Sequence, residues 1–187
     1  MQFANPAVIG ALFGASEVAL LLTRRAGSGA RVADDGSLRL LWVVILLSLS
    51  VAVAASILVP QTGSEWLSRL GTFGALLFVA GLLFRGYAIF YLGRFFTVDV
   101  ALAADHQLIE TGPYTYLRHP SYGGALLEFL GLGIILDNWL SLVILVVPTW
   151  LAFNRRMTIE ERALHRALGS DYAVYMTRTK RVIPGLY

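Results

Sequence analysis

Most side chains of this 187-residue sequence that could do chemistry lie in two polar stretches. The first, GPYTYLRHPSYGG at 112–124, combines two prolines, an arginine, a histidine and three tyrosines. A proline biases the residue before it toward extended backbone, so Gly112 and His119 stiffen this stretch. Pro120 suits the first turn of a helix, whose N-terminus would direct free amides and a positive dipole end toward His119 and Tyr122. The stretch is therefore a candidate anion site, and a rigid interhelical turn with interfacial tyrosines is the alternative interpretation.

The second polar stretch is the C-terminal tail, RRMTIEERALHRALGSDYAVYMTRTKRVIPGLY, which begins with a charged helical pattern. Arg156 and Glu160 are four residues apart and share one face of that helix, whereas Glu161 points away from them. Gly169 is expected to end the helix, and the tyrosines after it to begin a short second helix that packs back on the protein. A solvated helix with a surface ion pair is the alternative. The position of the pair directly after an apolar segment favours a functional role.

The composition identifies the bilayer as the surroundings of most of the chain. With 57% hydrophobic and 14% charged residues and a mean hydropathy of +0.67, the apolar surface is too large for one soluble domain. The absence of cysteine excludes thiol nucleophiles and thiolate metal sites, and the three histidines lack metal-ligand spacing, so no metal is expected. The net charge of +3 comes from arginines near the ends of apolar runs, which suits lipid headgroups and not nucleic acid.

Five apolar runs predict the elements that must position the polar stretches. A spanning helix needs roughly 20 apolar residues, and the last two runs, separated only by Asp137 and Asn138, predict a helical hairpin. The predicted fold is an all-α integral membrane protein of five transmembrane helices, with a polar loop and a C-terminal helix on the cytoplasmic side. It divides into an N-terminal three-helix part, 1–92, and a core, 93–187. The runs are about 6–22, 40–59, 67–92, 122–136 and 139–153.

The arginines predict the orientation of these spans. Basic residues gather in the first connection, in the polar region after the third run and in the tail, which all fall on one side of a five-span arrangement. The positive-inside rule therefore predicts an outer N-terminus and a cytoplasmic C-terminus, in the plasma (inner) membrane if the source is prokaryotic. The arginines of the first two groups are Arg24, Arg25, Arg31, Arg39, Arg94 and Arg118.

Three ionisable residues, Glu17, Arg85 and Glu128, lie inside apolar runs. Charged groups are costly within a membrane and often mark a transport path. The alternatives are pairing between helices or a polar wall of a ligand tunnel, and we favour these two over transport.

Three segments taken together resemble one known family. They are HQLIETGPYTYLRHPSY and, after the hairpin, RMTIEERAL and GSDYAVYMTRTKRVIPG. This set, between residues 93 and 187, is similar to the isoprenylcysteine carboxyl methyltransferase family and more loosely to the phospholipid methyltransferases. The resemblance implies an integral membrane enzyme that uses S-adenosylmethionine.

The resemblance also implies roles for individual residues. The segment from His106 to Ile109 is similar to the one around the adenosine, and the loop from His119 to Tyr122 to the one around the methionine end of the cofactor. Glu160 resembles a glutamate that meets the cofactor and Arg156 the family's substrate-side arginine, which makes these two the candidate catalytic residues. The implied cofactor contacts are His106, Gln107, Leu108, Ile109, Tyr114, His119, Pro120, Ser121, Tyr122 and Glu160.

The chemistry of S-adenosylmethionine fits these residue types. The molecule carries a carboxylate, an ammonium and a sulfonium, which call for an anion pocket, a carboxylate and an aromatic face. Arginine cannot act as a base, but it orients a carboxylate through paired hydrogen bonds, so Arg156 favours O-methylation of a lipophilic carboxylate. The resemblance implies that this acceptor is isoprenylcysteine-like. A phospholipid or small-amine N-methyltransferase, or a non-catalytic membrane binding or transport protein, is the alternative. Membrane lipids and a lipophilic or prenylated acceptor are the expected partners, and the identity of the acceptor stays open.

Overall fold

The computed structural model describes residues 6–23, 31–32, 36–59, 69–96, 101–102 and 107–187, and most of these residues are helical. The residues 31–32 and 101–102 form two short antiparallel strands, β1 (Arg31–Val32) and β2 (Ala101–Leu102). The α-helices of the described residues are α1 (Pro6–Thr23), α2 (Ser37–Leu58), α3 (Gly71–Leu92), α4 (Pro120–Ile135), α5 (Trp139–Leu168) and α6 (Ser170–Arg178).

Three helices of the described residues are long and apolar enough to cross a membrane. They are α2, α3 together with its 3₁₀ continuation to Phe95, and α5. The 16-residue α4 is apolar but shorter. Large hydrophobic side chains remain exposed along these helices, among them Leu47, Leu83 and Phe90, which forms a surface suited to lipid. The chain is therefore a nearly all-helical integral membrane protein.

The predicted hairpin is present, and its second arm is longer than predicted. Asp137 and Asn138 form the tip, where the Asn138 side chain accepts a hydrogen bond from the backbone N–H of Ser141 and so caps α5. The helix α5 then continues without a break for 30 residues, through Pro148 and into the charged tail. At 1.5 Å per residue it is about 45 Å long, which exceeds the roughly 30 Å hydrocarbon layer. Its C-terminal part therefore projects beyond the membrane.

The tail after α5 returns to the polar loop, as the sequence predicted. Gly169 ends α5 with a positive φ of 58°, and α6 follows with Tyr172 and Tyr175 buried. Backbone hydrogen bonds then join the tail to the loop in a short parallel bridge: Arg118 N donates to Lys180 O at 2.7 Å, and Lys180 N donates to Tyr116 O at 3.0 Å. The loop before α4 is thus held by backbone pairing with a segment more than 60 residues away.

Close packing of α3 against α4 depends on glycine. A Cβ atom added at Gly131 would lie 2.4 Å from the carbonyl oxygen of Gly74, and one added at Gly81 would lie 2.6 Å from the carbonyl oxygen of Gly124. These distances are well below van der Waals contact, so the two backbones touch directly along their length. Small residues allow the same close approach between helices in other membrane proteins.

We predict that Gly131→Ala destabilises the protein, because the new methyl group collides with the α3 backbone. The expected cost is about 1–3 kcal/mol, seen as a lower midpoint of thermal unfolding in detergent. Gly86→Ala is the matched control: this α3 glycine has no atom within 4 Å of the added Cβ. The control should leave the midpoint unchanged or raise it slightly, since alanine favours a helix over glycine. Equal stability of both variants would show that the helices are not in backbone contact.

Candidate functional site

A cavity lies between the transmembrane helices, the loop before α4 and the tail. It encloses about 1350 Å³ of empty space, counted to its open mouth. Among its lining residues, the loop and the tail supply most of the polar groups. The predicted site residues that line it are Gln107, Leu108, Ile109, Tyr114, His119, Ser121, Tyr122, Arg156 and Glu160.

Two predicted site residues are not part of this lining. Pro120 is buried as the first residue of α4, where it fixes the start of the helix behind His119, as the sequence predicted for that position. His106 lies outside the described residues. The cavity thus brings together nine of the residues that the sequence pattern indicated, from segments up to 53 positions apart.

The apolar helices supply an apolar part of the same cavity. Side chains from α1, α2, α4 and α5 form it, namely Phe13, Leu41, Ile45, Phe129 and Phe153. The rings of Phe13 and Phe129 meet edge to face at 5.1 Å. An aliphatic or polyunsaturated chain would lose little free energy in moving from lipid to a position against this apolar wall.

Tyr122 joins the polar and apolar parts of the cavity. Its hydroxyl donates to Glu160 Oε2 at 3.2 Å and accepts from Arg156 Nε at 3.0 Å. Arg156 is only 3% exposed, and its Nη1 also donates to the hydroxyl of Ser37 at 2.9 Å, which ties α5 to the start of α2. Glu160 Oε2 lies 4.0 Å from His119 Nδ1. The predicted pair on one face of α5 therefore does meet the loop that precedes α4.

Glu161, to which the sequence analysis gave no role, fastens this arrangement from the other side. Its carboxylate is 5% exposed and accepts from Arg118 Nε at 2.9 Å and from Arg181 Nη2 at 2.6 Å. It also lies 3.2 Å from His119 Nε2. Glu161 does point away from Glu160, but toward a pocket of cations instead of water. The role of Glu161 could have been inferred from two features of the sequence. Two glutamates are adjacent in the tail, and both polar stretches contain basic residues that could pair with them.

Arg118 and Arg181, the two arginines that bind Glu161, also make hydrogen bonds to other parts of the chain. Arg118 Nη1 donates to the backbone carbonyl of Thr179 at 2.6 Å, and Arg181 Nη1 donates to Asn154 Oδ1 at 2.7 Å. Burial by itself would lower the pKa of the Arg181 guanidinium, but its hydrogen bonds to Glu161 and Tyr187 outweigh burial and raise that pKa. Through these hydrogen bonds the two arginines join the loop, α5 and the tail.

Two further tyrosines of the cavity are fixed by backbone carbonyls. The Tyr114 hydroxyl donates to Ala88 O at 3.2 Å, and the Tyr175 hydroxyl donates to Tyr114 O at 2.7 Å. Burial raises the pKa of both phenols above the usual range, so both hydroxyls stay protonated at neutral pH and act as donors. Tyr114 thus lines the cavity from a rigid position.

The ionisable residues of the membrane helices pair with each other. Arg85 on α3 makes two hydrogen bonds to Glu17 on α1, one of them from Nη2 to Oε2 at 3.1 Å, and its Nη1 lies 3.8 Å from Glu128 Oε1 on α4. Glu17 and Arg85 also line the cavity. The structure therefore shows pairing between the helices, and the polar wall of a ligand tunnel stays a prediction for Glu17 and Arg85.

Long apolar helices around a cavity with a polar part and an apolar part define an integral membrane protein with a candidate ligand site. Comparisons with known proteins narrow this class. The family model described as the isoprenylcysteine carboxyl methyltransferase family matches residues 74–166. The chain belongs to this family and is a membrane methyltransferase.

Individual relatives agree with this assignment. Protein-S-isoprenylcysteine O-methyltransferase A of Arabidopsis thaliana is 31% identical over 144 residues, which cover 76% of this chain and 72% of that protein. Protein-S-isoprenylcysteine O-methyltransferase of Saccharomyces cerevisiae is 34% identical over 113 residues, 59% of this chain and 47% of the yeast protein. A solved structure of the eukaryotic intramembrane Ras methyltransferase ICMT matches with a TM-score of 0.69 and 25% identity, over 98% of this chain and 69% of the other.

We predict that Glu161→Gln destabilises the protein, because Arg118 and Arg181 lose the charge that compensates them. The expected cost is about 2–3 kcal/mol, less than for a fully buried pair since Arg181 stays partly exposed, and corresponds to a fall of roughly 5–10 °C in the unfolding midpoint in detergent. Glu110→Gln removes an exposed ion pair with Arg178 and should change the midpoint by no more than ~2 °C. Indistinguishable midpoints would mean that Glu161 does not hold the loop.

Proposed function

We propose that this methyltransferase takes S-adenosylmethionine from the cytoplasm and transfers its methyl group to the carboxylate of a lipophilic, isoprenylcysteine-like acceptor from the bilayer. One observation carries the proposal: Arg156 is buried where the polar and apolar parts of one cavity meet. The names of the relatives, protein-S-isoprenylcysteine O-methyltransferases, support the same acceptor chemistry.

In this proposal the polar part of the cavity holds the cofactor. His119 and the N-terminus of α4 suit its carboxylate, since a ring N–H and the positive end of a helix dipole both favour an anion. Glu160, partly exposed in the cavity, suits the ammonium group. The aromatic rings of Tyr114 and Tyr122 suit the sulfonium, and the segment 107–109 suits the adenosine. The bound cofactor supplies an electrophilic methyl group.

Arg156 would hold and orient the acceptor carboxylate. A guanidinium keeps its charge at all relevant pH values and offers a planar set of donors that matches a carboxylate. Because methyl transfer is an in-line displacement, alignment of the carboxylate oxygen and exclusion of water are its main requirements. The apolar side chains around Phe153 would supply the exclusion and receive the hydrocarbon of the acceptor.

N-methylation of an amine or a phospholipid fits this site less well. A protonated amine must lose its proton before it can attack, and Arg156 cannot accept one. A carboxylate needs no such step. A non-catalytic binding or transport protein would bind the cofactor without methyl transfer to any acceptor, and the assay below distinguishes this alternative.

The proposal includes an orientation with five spans, adding α1 and α4 to the three helices that are long enough by themselves. The N-terminus would lie outside and the C-terminus in the cytoplasm. The hydrogen bond from Arg156 to Ser37 supports it, because it puts the start of α2 beside the charged end of α5. Residues 93–187 would form the catalytic core and residues 1–92 the three-helix part that completes the acceptor site.

We predict that the purified protein forms base-labile methyl ester on N-acetyl-S-farnesylcysteine with radiolabelled S-adenosylmethionine. Arg156→Ala should lower kcat/KM about 100-fold, because a charge-assisted pair of hydrogen bonds to the carboxylate is worth about 2–3 kcal/mol. Arg155→Ala, at the exposed neighbouring position, should keep the wild-type rate. Label in base-stable N-methyl groups, or cofactor binding without transfer, would contradict ester formation.

The orientation is testable because the chain has no cysteine. A single Ser64→Cys substitution, between the second and third apolar runs, should react with a membrane-impermeant maleimide in intact cells. Ser170→Cys, at the exposed start of α6, should react only after permeabilisation. The reverse pattern would refute the proposed orientation.

A further inference from the structure

Four tyrosines line the cavity within the described part of the chain, and the hydroxyl of one of them differs from the rest. Tyr114 and Tyr175 donate to backbone carbonyls, and Tyr122 donates to Glu160. The hydroxyl of Tyr172 is buried and has no hydrogen-bond partner among the described residues. All four tyrosines line the same cavity, so the general polarity of the cavity does not explain why the Tyr172 hydroxyl lacks a partner among the described residues.

The burial of Tyr172 makes the missing partner costly. The side chain is 1% exposed and is one of the largest fully buried side chains of the structure. A buried hydroxyl without a partner loses its hydrogen bonds to water without replacement, and such groups are rare in folded proteins. Phenylalanine would fill the same space without this cost. The presence of a hydroxyl at this position therefore calls for a partner other than the residues that the structure describes.

Tyr172 lies beside residues that are proposed to bind the cofactor. Its ring packs against Tyr175 with centroids 5.9 Å apart, and Tyr175 in turn is bonded to the backbone of the loop residue Tyr114. The charges that act on its hydroxyl are those of Glu161, Glu160 and Arg118, beside the loop and α5. Burial raises the pKa of Tyr172, so the hydroxyl keeps its proton and can donate one hydrogen bond and accept another.

We propose that the Tyr172 hydroxyl binds a polar group of the nucleoside amino acid held in the cavity. This inference rests on the proposed function, because the ligand is the S-adenosyl cofactor or its product. Tyr172 would thus be a cofactor-contacting residue of α6, which makes the tail a part of the binding site as well as a clamp on the loop. The hydroxyl leaves water on folding and regains a hydrogen bond when the ligand enters.

Tyr172→Phe tests the proposal, because it removes only the hydroxyl oxygen. The measurement is the dissociation constant of S-adenosylhomocysteine for the purified full-length protein in detergent, by titration calorimetry. We expect the constant to rise about tenfold, as for loss of one buried hydrogen bond to a ligand. The unfolding midpoint without ligand should stay the same or rise. Tyr116→Phe, at a 69% exposed position of the loop, is the matched control and should change neither quantity.

The possible results separate the two proposals. Absence of binding by the wild-type protein would refute the proposed function. Binding by the wild type with an unchanged constant for Tyr172→Phe would refute the role of Tyr172 and leave the proposed function standing. A lower unfolding midpoint of ligand-free Tyr172→Phe would also refute it, since the hydroxyl would then have a structural partner.

A second ligand identifies which half of the molecule the hydroxyl contacts. 5′-Methylthioadenosine contains the nucleoside but lacks the amino acid. If Tyr172→Phe also weakens its binding about tenfold, the contact is to the nucleoside. If only S-adenosylhomocysteine is affected, the contact is to the amino acid. Either result supports a direct contact. If Tyr172→Phe weakens the binding of neither ligand, the proposal is overturned.

Discussion

The site depends on one buried carboxylate, that of Glu161, which binds cations from two distant segments of the chain. Arg118 comes from the loop before α4 and Arg181 from the end of the tail, and the ring of His119 also lies against the carboxylate. Without a negative charge between them, the two guanidinium groups would repel each other in a place with little water. The carboxylate thus brings the loop, α5 and the tail together, and the backbone bridge between Leu117 and Lys180 completes the connection.

Neighbouring faces of α5 have different roles. Successive residues of an α-helix point about 100° apart, so Glu161 can fasten the loop while Glu160 faces the cavity. Arg156 lies four residues earlier than Glu160, about 6 Å along the axis toward the membrane. Tyr122 contacts both residues through one hydroxyl. In the proposed reaction this spacing would put the cofactor above the acceptor carboxylate, with the methyl group between them.

Features that depend on neighbouring residues could be predicted from the sequence. Pro120 at the start of α4, the tip at Asp137 and Asn138, and the end of α5 at Gly169 all follow from local backbone preferences, and the structure confirms them. Features that depend on distant residues could not. The bond from Arg156 to Ser37 joins residues 119 positions apart, and the partners of Glu161 depend on the register between the loop and the tail, which local preferences do not set. The uninterrupted length of α5 could not be predicted either. The sequence changes from apolar to charged residues at Asn154, while the backbone hydrogen bonding of the helix continues.

A structure of the protein with S-adenosylhomocysteine bound, in a lipid nanodisc, would test the central claim most directly. The account predicts density for the ligand in the cavity beside His119 and Glu160, with the sulfur directed toward Arg156 and the Glu161 cluster unchanged. Ligand density outside this cavity, or a bound state in which the loop has separated from α5, would contradict it.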